Sequence, residues 1–253
     1  MASFTTRYRN GEHEAVWTEL RLLGPVPASL SEDCADVAAE TMRRVRRHVD
    51  RLGDAYRELG FTGGEGVAPP PEPAELAELD RLAAEIGGLP YALDACMRIV
   101  GFVDFIGDCE PLNLWYSDHE RGKQCPVLPD PLATPPTYML ALNWESYCDD
   151  HGDEYHDDEY HDDSDEPIAD RPGFALDFAP DDISKANYSG STQTVELPSR
   201  VADPPLSGIS ERSGITLVDY LRLSIAWGGL PGWSLTDKTP PEALSTLRVT
   251  PDF

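Results

Sequence analysis

Between Ser29 and Gly60 the chain carries its plainest helical period. Cys34, Val37, Ala38, Thr41, Val45, Val49, Leu52, Tyr56 and Leu59 recur at steps of three and four. Side chains at that spacing share one helix face, so they form a single apolar stripe that must be covered by a core. Ser29 with Glu32 reads as a capping box ahead of the stripe, and Gly60 as its stop. The opposite side carries Arg43, Arg44, Arg46, Arg47, Arg51 and Arg57, a basic surface in an otherwise acidic chain. Glu40, Asp50, Asp54 and Glu58 are interleaved with these arginines at distances that allow pairing along the helix. Internal charge pairing is therefore favoured over a helix that reads nucleic acid.

Downstream, GGEGVAPPPEPAE at 63–75 combines glycines with prolines and reads as a linker. The expected organisation is an N-terminal helical region at 1–66, a proline-rich linker at 67–74 and an α+β domain at 75–253. Leu76, Leu79, Leu82 and Ile86 mark a short amphipathic helix ending at Gly87 and Gly88, and Leu89-Pro90 opens another that ends at Gly101. Strand signals follow at 102–107, 112–116, 137–148, 174–178 and 192–197. The third alternates Tyr138, Leu140, Leu142 and Trp144 on one face. Turns rather than long helices separate these runs, so the sheet is expected to be mainly antiparallel. Near the end, Thr216 and Asp219 form a possible capping box before a stripe of Leu217, Tyr220, Leu221, Ser224 and Ile225. The spacing thus predicts an α+β fold: an antiparallel sheet of about five strands flanked by helices, preceded by a long N-terminal amphipathic helix.

One insertion stands apart. DDHGDEYHDDEYHDDSDE, at 149–166, holds eleven carboxylates and threads His151, His156 and His161 among them. The histidines recur every fifth residue, a period that aims them at one point on neither a helix nor a strand. The pattern also lacks the i, i+4 histidine pair of zinc proteases and the alternating ligands of a calcium loop. Blocks of like charge repel and bury little apolar surface, so an acidic loop insertion at 149–170 is expected. Its histidines, surrounded by carboxylates, are expected to titrate above an isolated imidazole.

The run supplies -11 of a formal net charge of -26, leaving the remaining 235 residues at -15. A field of that sign repels phosphate backbones and anionic lipid, and speeds encounter with basic proteins. Nucleic acid and membrane are thus disfavoured as partners. Cys34, Cys96, Cys109, Cys125 and Cys148 are odd in number and contain no C-x-x-C pair, which argues against a disulfide framework or a zinc ribbon. The first residues lack a secretory pattern, and no stretch approaches eighteen uninterrupted apolar residues. A cytoplasmic protein is expected.

Catalytic signatures are sparse. There is no G-x-S-x-G, no phosphate loop and no H-E-x-x-H. Asp118, His119 and Glu120 lie near Cys125, a combination that would suit an activated thiol, although an exposed polar turn explains SDHERGK more simply. Trp115, Trp144, Trp227 and Trp233 are candidates for an aromatic surface, with core packing the more economical role. No catalytic, cofactor-binding or metal-ligating residue is assigned.

The blocks ETMRRVRRHVDRL, LPYALDACMRIVGFVDFIGD, KANYSGS and LVDYLRLSIAWGGLPGW resemble, in this order, those of a group of bacterial proteins. Within roughly 72–250, Leu89-Pro90 followed by a helix, Gly101 and a strand is similar to the SUKH superfamily of toxin-immunity proteins and yeast cell-wall regulators. That resemblance implies an α+β fold, protein binding and no shared catalytic residues; Leu89, Pro90 and Gly101 match its helix start and exit. The acidic insertion and the arginine-rich helix depart from its pattern. The function expected is a noncatalytic protein-binding module, for example an immunity protein that neutralises a basic toxin such as a nuclease. The alternatives are a divalent-metal-dependent hydrolase built on the Asp/His run and a cytoplasmic scaffold unrelated to toxins.

Overall fold

The computed structural model describes residues 2–117, 125–152, 173–208 and 212–253. Its backbone is organised around the predicted long helix. Helices α1 (Phe4–Arg9) and α2 (His13–Leu22) precede α3 (Ser31–Glu58), whose Cys34, Val37, Ala38, Thr41, Val45, Val49, Leu52 and Tyr56 are buried as the stripe requires. Gly60, at φ +83°, follows its end. Asp33 in the first turn of α3 ties α1 down, accepting from the Thr5 hydroxyl (2.6 Å), Thr5 N (2.9 Å) and Phe4 N (2.7 Å). Burial pushes this carboxyl up, but those donors together hold it below the usual carboxylate range. Behind it, Thr41 Oγ1 accepts from Trp17 Nε1 (3.2 Å) and lies 2.8 Å from Tyr8 Oη. The predicted Ser29–Glu32 capping box does not form. A 3₁₀ turn over Ala28–Leu30 leads directly into α3 and supplies the local hydrogen bonding instead.

Four of the six arginines of the basic face pair with carboxylates along α3, as expected. Arg43 and Arg44 pair with Glu40, Arg46 with Asp50, and Arg57 with Asp54. Arg46 also donates to Val100 O (2.8 Å) and Ala68 O (2.9 Å). Where the sequence reads as a linker, at 67–74, the chain is bonded to the fold on either side. Strand β1 (Gly66–Val67) pairs with β2 (Val103–Asp104), and Ala68 N donates to Phe102 O. The proline-rich segment is a strap laid on the fold, and residues on both sides of it feed one contiguous core from Tyr8 to Phe253. It ends in a capping box that joins Glu72 and Glu75 at the start of α4 (Pro73–Ile86), with Pro73 in the first turn. Helix α5 (Tyr91–Ala95) then runs into a π-helical turn over Cys96–Val100 and packs on α3 before Gly101.

The fold is α+β and its strand pairs are antiparallel, but the strands are distributed over three small sheets. One has the order β1-β2-β5, with β5 at Ala133–Thr134; a second pairs β3 (Asp108–Cys109) with β4 (Leu114–Trp115); the third pairs β6 (Phe174–Pro180) with β7 (Thr192–Leu197). The runs at 102–107 and 112–116 hold only the two-residue strands β2 and β4, and a 3₁₀ turn at Glu110–Leu112 separates β3 from β4. The segment 137–148, expected as a strand, lies in helix α6 (Thr137–Gly152). Leu140, Trp144 and Tyr147 turn inward at helical spacing, while Tyr138 and Leu142 face outward, so the apparent alternation mixed two faces of a helix.

Helix α7 (Leu217–Ala226) buries the expected stripe, with Gly228 (φ +60°) and Gly229 (φ +89°) at its exit. Its predicted Thr216–Asp219 box is replaced by a distant group. Buried Asp203 accepts from Val218 N (3.0 Å) and from Arg21 Nε (2.9 Å), while Asp219 pairs with Arg21 and Arg222. Trp233 packs back onto the body through the turn Pro231–Leu235, as expected, and α8 (Glu242–Leu247) follows. Among the described residues no helix is long and apolar enough to cross a membrane.

Candidate interaction site

The connection between β6 and β7 is folded by its own polar residues. Asp181 accepts from Ser184 N and Ser191 N, each at 2.7 Å, closing the loop on itself. A Cβ at Gly190 would stand 2.3 Å from Asp181 Oδ1, so a side chain there would have to displace the carboxylate that closes the loop. Within the loop, a 3₁₀ turn over Ser184–Ala186 directs Lys185 into the core, and Asn187 adopts φ +61°.

Lys185 is fully enclosed. Its Nζ donates to Asp130 Oδ1 (2.7 Å) and Tyr220 Oη (2.9 Å), and Tyr220 Oη donates to the same carboxylate oxygen (3.1 Å). Arg212 Nη1 lies 3.5 Å from Asp130 Oδ2 and its Nη2 donates to Pro231 O (2.6 Å) and Ser234 Oγ (3.0 Å). Burial alone would lower the lysine pKa, but Asp130 and Tyr220 outweigh it and raise the ammonium above its ordinary range. Burial and then Asp130 push the Tyr220 hydroxyl up to about 12. A lysine held charged and shut away from solvent is neither a nucleophile nor a base near neutral pH. What this knot does is mechanical: it clamps the segments around Asp130, Lys185, Arg212, Tyr220 and Pro231 together.

Above the knot is a cleft of about 240 Å³ lined by Trp115, Cys125, Pro126, Val127, Leu128, Ala186 and Tyr188. Its rim is apolar and exposed: Tyr116 is 36% accessible, Leu128 39% and Tyr188 43%. Ile183 on the same loop as Tyr188, and Leu235 after the Trp233 turn, are exposed as well. The rim is tied down from several directions. Asn187 Nδ2 donates to Tyr116 O (2.9 Å), Gly232 N to Pro129 O (2.9 Å), and Lys238 Nζ to Pro126 O. Exposed aromatic and aliphatic side chains on an immobilised base are the usual anchors of a protein interface.

The residues singled out in the sequence are scattered. Cys125 lines the cleft, but Asp118, His119 and Glu120 lie outside the described residues. Burial pushes the Cys125 thiol up, the opposite of an activated thiolate. Trp115 borders the cleft; Trp144 packs on Phe174, Trp227 lies under Arg248, and Trp233 is buried, so the tryptophans form no common surface. Of the acidic run, Asp149 and Asp150 belong to the last turn of α6, which corrects the loop expected from 149 onward. Residues 153–166, with His156 and His161, lie outside the described residues, as do the side chain of His151 and with it the expected histidine titration. Among the described residues no group of three or more His, Cys, Asp or Glu side chains is placed to hold a metal ion. Lys185, Asp130 and Tyr220 carried no sequence signal of their partnership, since 55 and 35 positions separate the lysine from its two partners. The turn chemistry of Asn187 to Gly190 was the only local hint. No family model, curated protein or solved structure matches the chain.

Proposed function

We propose that the chain is a noncatalytic, cytoplasmic protein-binding module that captures a basic protein through the rim of Tyr116, Leu128 and Tyr188. The observation that carries this reading is the exposed rim fixed over a buried Lys185–Asp130–Tyr220–Arg212 knot. Preorganisation of that kind lowers the ordering cost of association. The net charge of -26 supports a basic partner, because the field accelerates encounter with a protein of opposite sign. A toxin nuclease is such a protein, basic because it binds phosphate, and its neutralisation by a SUKH-like immunity protein is the specific form of this proposal.

The test uses the full chain and a Leu128→Glu/Tyr188→Glu variant, both assayed for inhibition of basic nuclease toxins encoded in the source cell. Inhibition by the full chain, lost in a variant that unfolds at the same temperature, supports the proposal. Absence of inhibition and of a stable complex with any of them contradicts the immunity role.

A further inference from the structure

Helix α6 exposes a face that its own packing leaves uncovered. Its inner side is pinned in rotation. Leu140 is buried, Trp144 and Tyr147 stack on each other at 5.5 Å and pack on Phe174, and Asn143 Oδ1 accepts from Asp177 N of β6 at 2.8 Å. Thr137 Oγ1 donates to Glu75 of α4 (3.1 Å), fixing the start of the helix. What faces solvent is therefore set by the fold: Tyr138, 60% accessible, and Leu142, 51% accessible, stand one turn apart. Glu145, Asp149 and Asp150 are exposed further along.

Two features of this face are individually unfavourable in water. The Tyr138–Leu142 pair leaves apolar surface wet. Asp149 and Asp150 sit in the last turn, where the helix dipole is already negative and favours cations. The sequence adds nine more carboxylates, and no Lys or Arg, before residue 167. One kind of ligand relieves both: apolar at one end and cationic at the other. On a helix the seven positions from Leu142 to Asp149 span about 10 Å, which fixes the spacing the ligand must match.

We propose that this face docks a cationic amphipathic helix of a protein partner. Apolar residues of that helix cover Tyr138 and Leu142, and its Lys or Arg side chains lie over the C-terminal turn of α6, about seven residues further along. The inference shares with the preceding section the reading that the partner is basic, but it concerns a different surface and stands or falls separately. A second copy of this chain, itself at a net charge of -26, would bring no cationic segment to the acidic turn and is the poorer occupant.

The probe is a synthetic Leu/Lys helical peptide with leucines at i and i+4 and lysines seven residues on, compared with a shuffled peptide of identical composition. Binding is measured by calorimetry to the full chain and to three variants: Tyr138→Ser/Leu142→Ser, Asp149→Asn/Asp150→Asn, and Leu128→Glu/Tyr188→Glu. The ordered peptide should bind the wild type about tenfold or more tighter than the shuffled one, the gap expected from burying one or two apolar side chains. The serine variant should abolish that gap, and the asparagine variant should weaken binding and flatten its salt dependence. The cleft variant should bind like the wild type. Equal binding of both peptides, an unaffected serine variant, or loss of binding in the cleft variant would each overturn the proposal. So would sedimentation showing that the wild type self-associates and the serine variant does not, since the occupant would then be a second copy.

Discussion

Replacing Lys185 with Met keeps the aliphatic stem and removes the ammonium. Asp130 is then left buried, with the Tyr220 hydroxyl at 3.1 Å and the Arg212 guanidinium at 3.5 Å as its remaining partners. Removing one member of a buried ion pair typically costs about 3–5 kcal/mol. Arg212 offsets part of the loss, so the lower end, about 3 kcal/mol, is expected, which corresponds to a Tm drop of roughly 6–12 °C for a domain of this size. Neutralising the stranded acid should recover part of it. Asp130→Asn is the suitable second change, because Asp130 sits at φ +50°, a conformation asparagine tolerates. Chemical denaturation of Lys185→Met and of the double variant reads both effects. The pH dependence has a definite sign. Since Lys185 is raised above the ordinary lysine value, its contribution stands at every pH below about 10.4 and fades only as pH climbs through the higher folded value. The gap between wild type and Lys185→Met should therefore be flat from about pH 7 to pH 9. A variant within about 1 kcal/mol of wild type, or no recovery on adding Asp130→Asn, would refute the role assigned to the knot.

Gly232→Ala would place a Cβ 1.8 Å from Leu128 O, so the backbone beneath the rim must move. Destabilisation of about 1–3 kcal/mol is expected, with altered exchange of the amides of Val127, Leu128 and Asp130, and an unchanged melting curve would contradict this packing. His13 lies with Nε2 2.9 Å from Arg44 Nη1, and burial followed by Arg44 lowers its pKa. The unfolded chain therefore takes up this proton first, and stability falls as pH drops below about 6.5. His13→Gln should remove that part of the acid limb; an identical pH profile would count against a neutral His13.

Local periodicity made the long helix legible, because the α3 stripe is regular and its stop glycine adopts positive φ. The strand runs expected at 174–178 and 192–197 were legible too and fall in β6 and β7, whose burial alternates as in a half-buried pair. Helix α6 was misread because Tyr138 and Leu142 are apolar yet outward, so the residues meant for a partner or for solvent counterfeited a strand face. Both missed caps have one cause: the N-terminal amides of α3 and α7 are served by a 3₁₀ turn and by Asp203, neither of which lies at a capping-box spacing. The proline-rich strap looked like a linker because its anchors, Arg46 and β2, lie elsewhere in the chain. For the candidate site, the turn around Asn187 and Gly190 could be read from residue types, but the burial of Lys185 against Asp130 depends on tertiary contacts that no local pattern encodes.

The proposed binding function is tested most directly by quantitative affinity capture from the source cell on wild type and on Leu128→Glu/Tyr188→Glu, matched for melting temperature. The account predicts that a small set of basic proteins is retained by the wild type alone and persists through a moderate salt wash. Identical sets on both surfaces, released together by ionic strength, would mean that the rim recognises nothing and that charge alone does the binding.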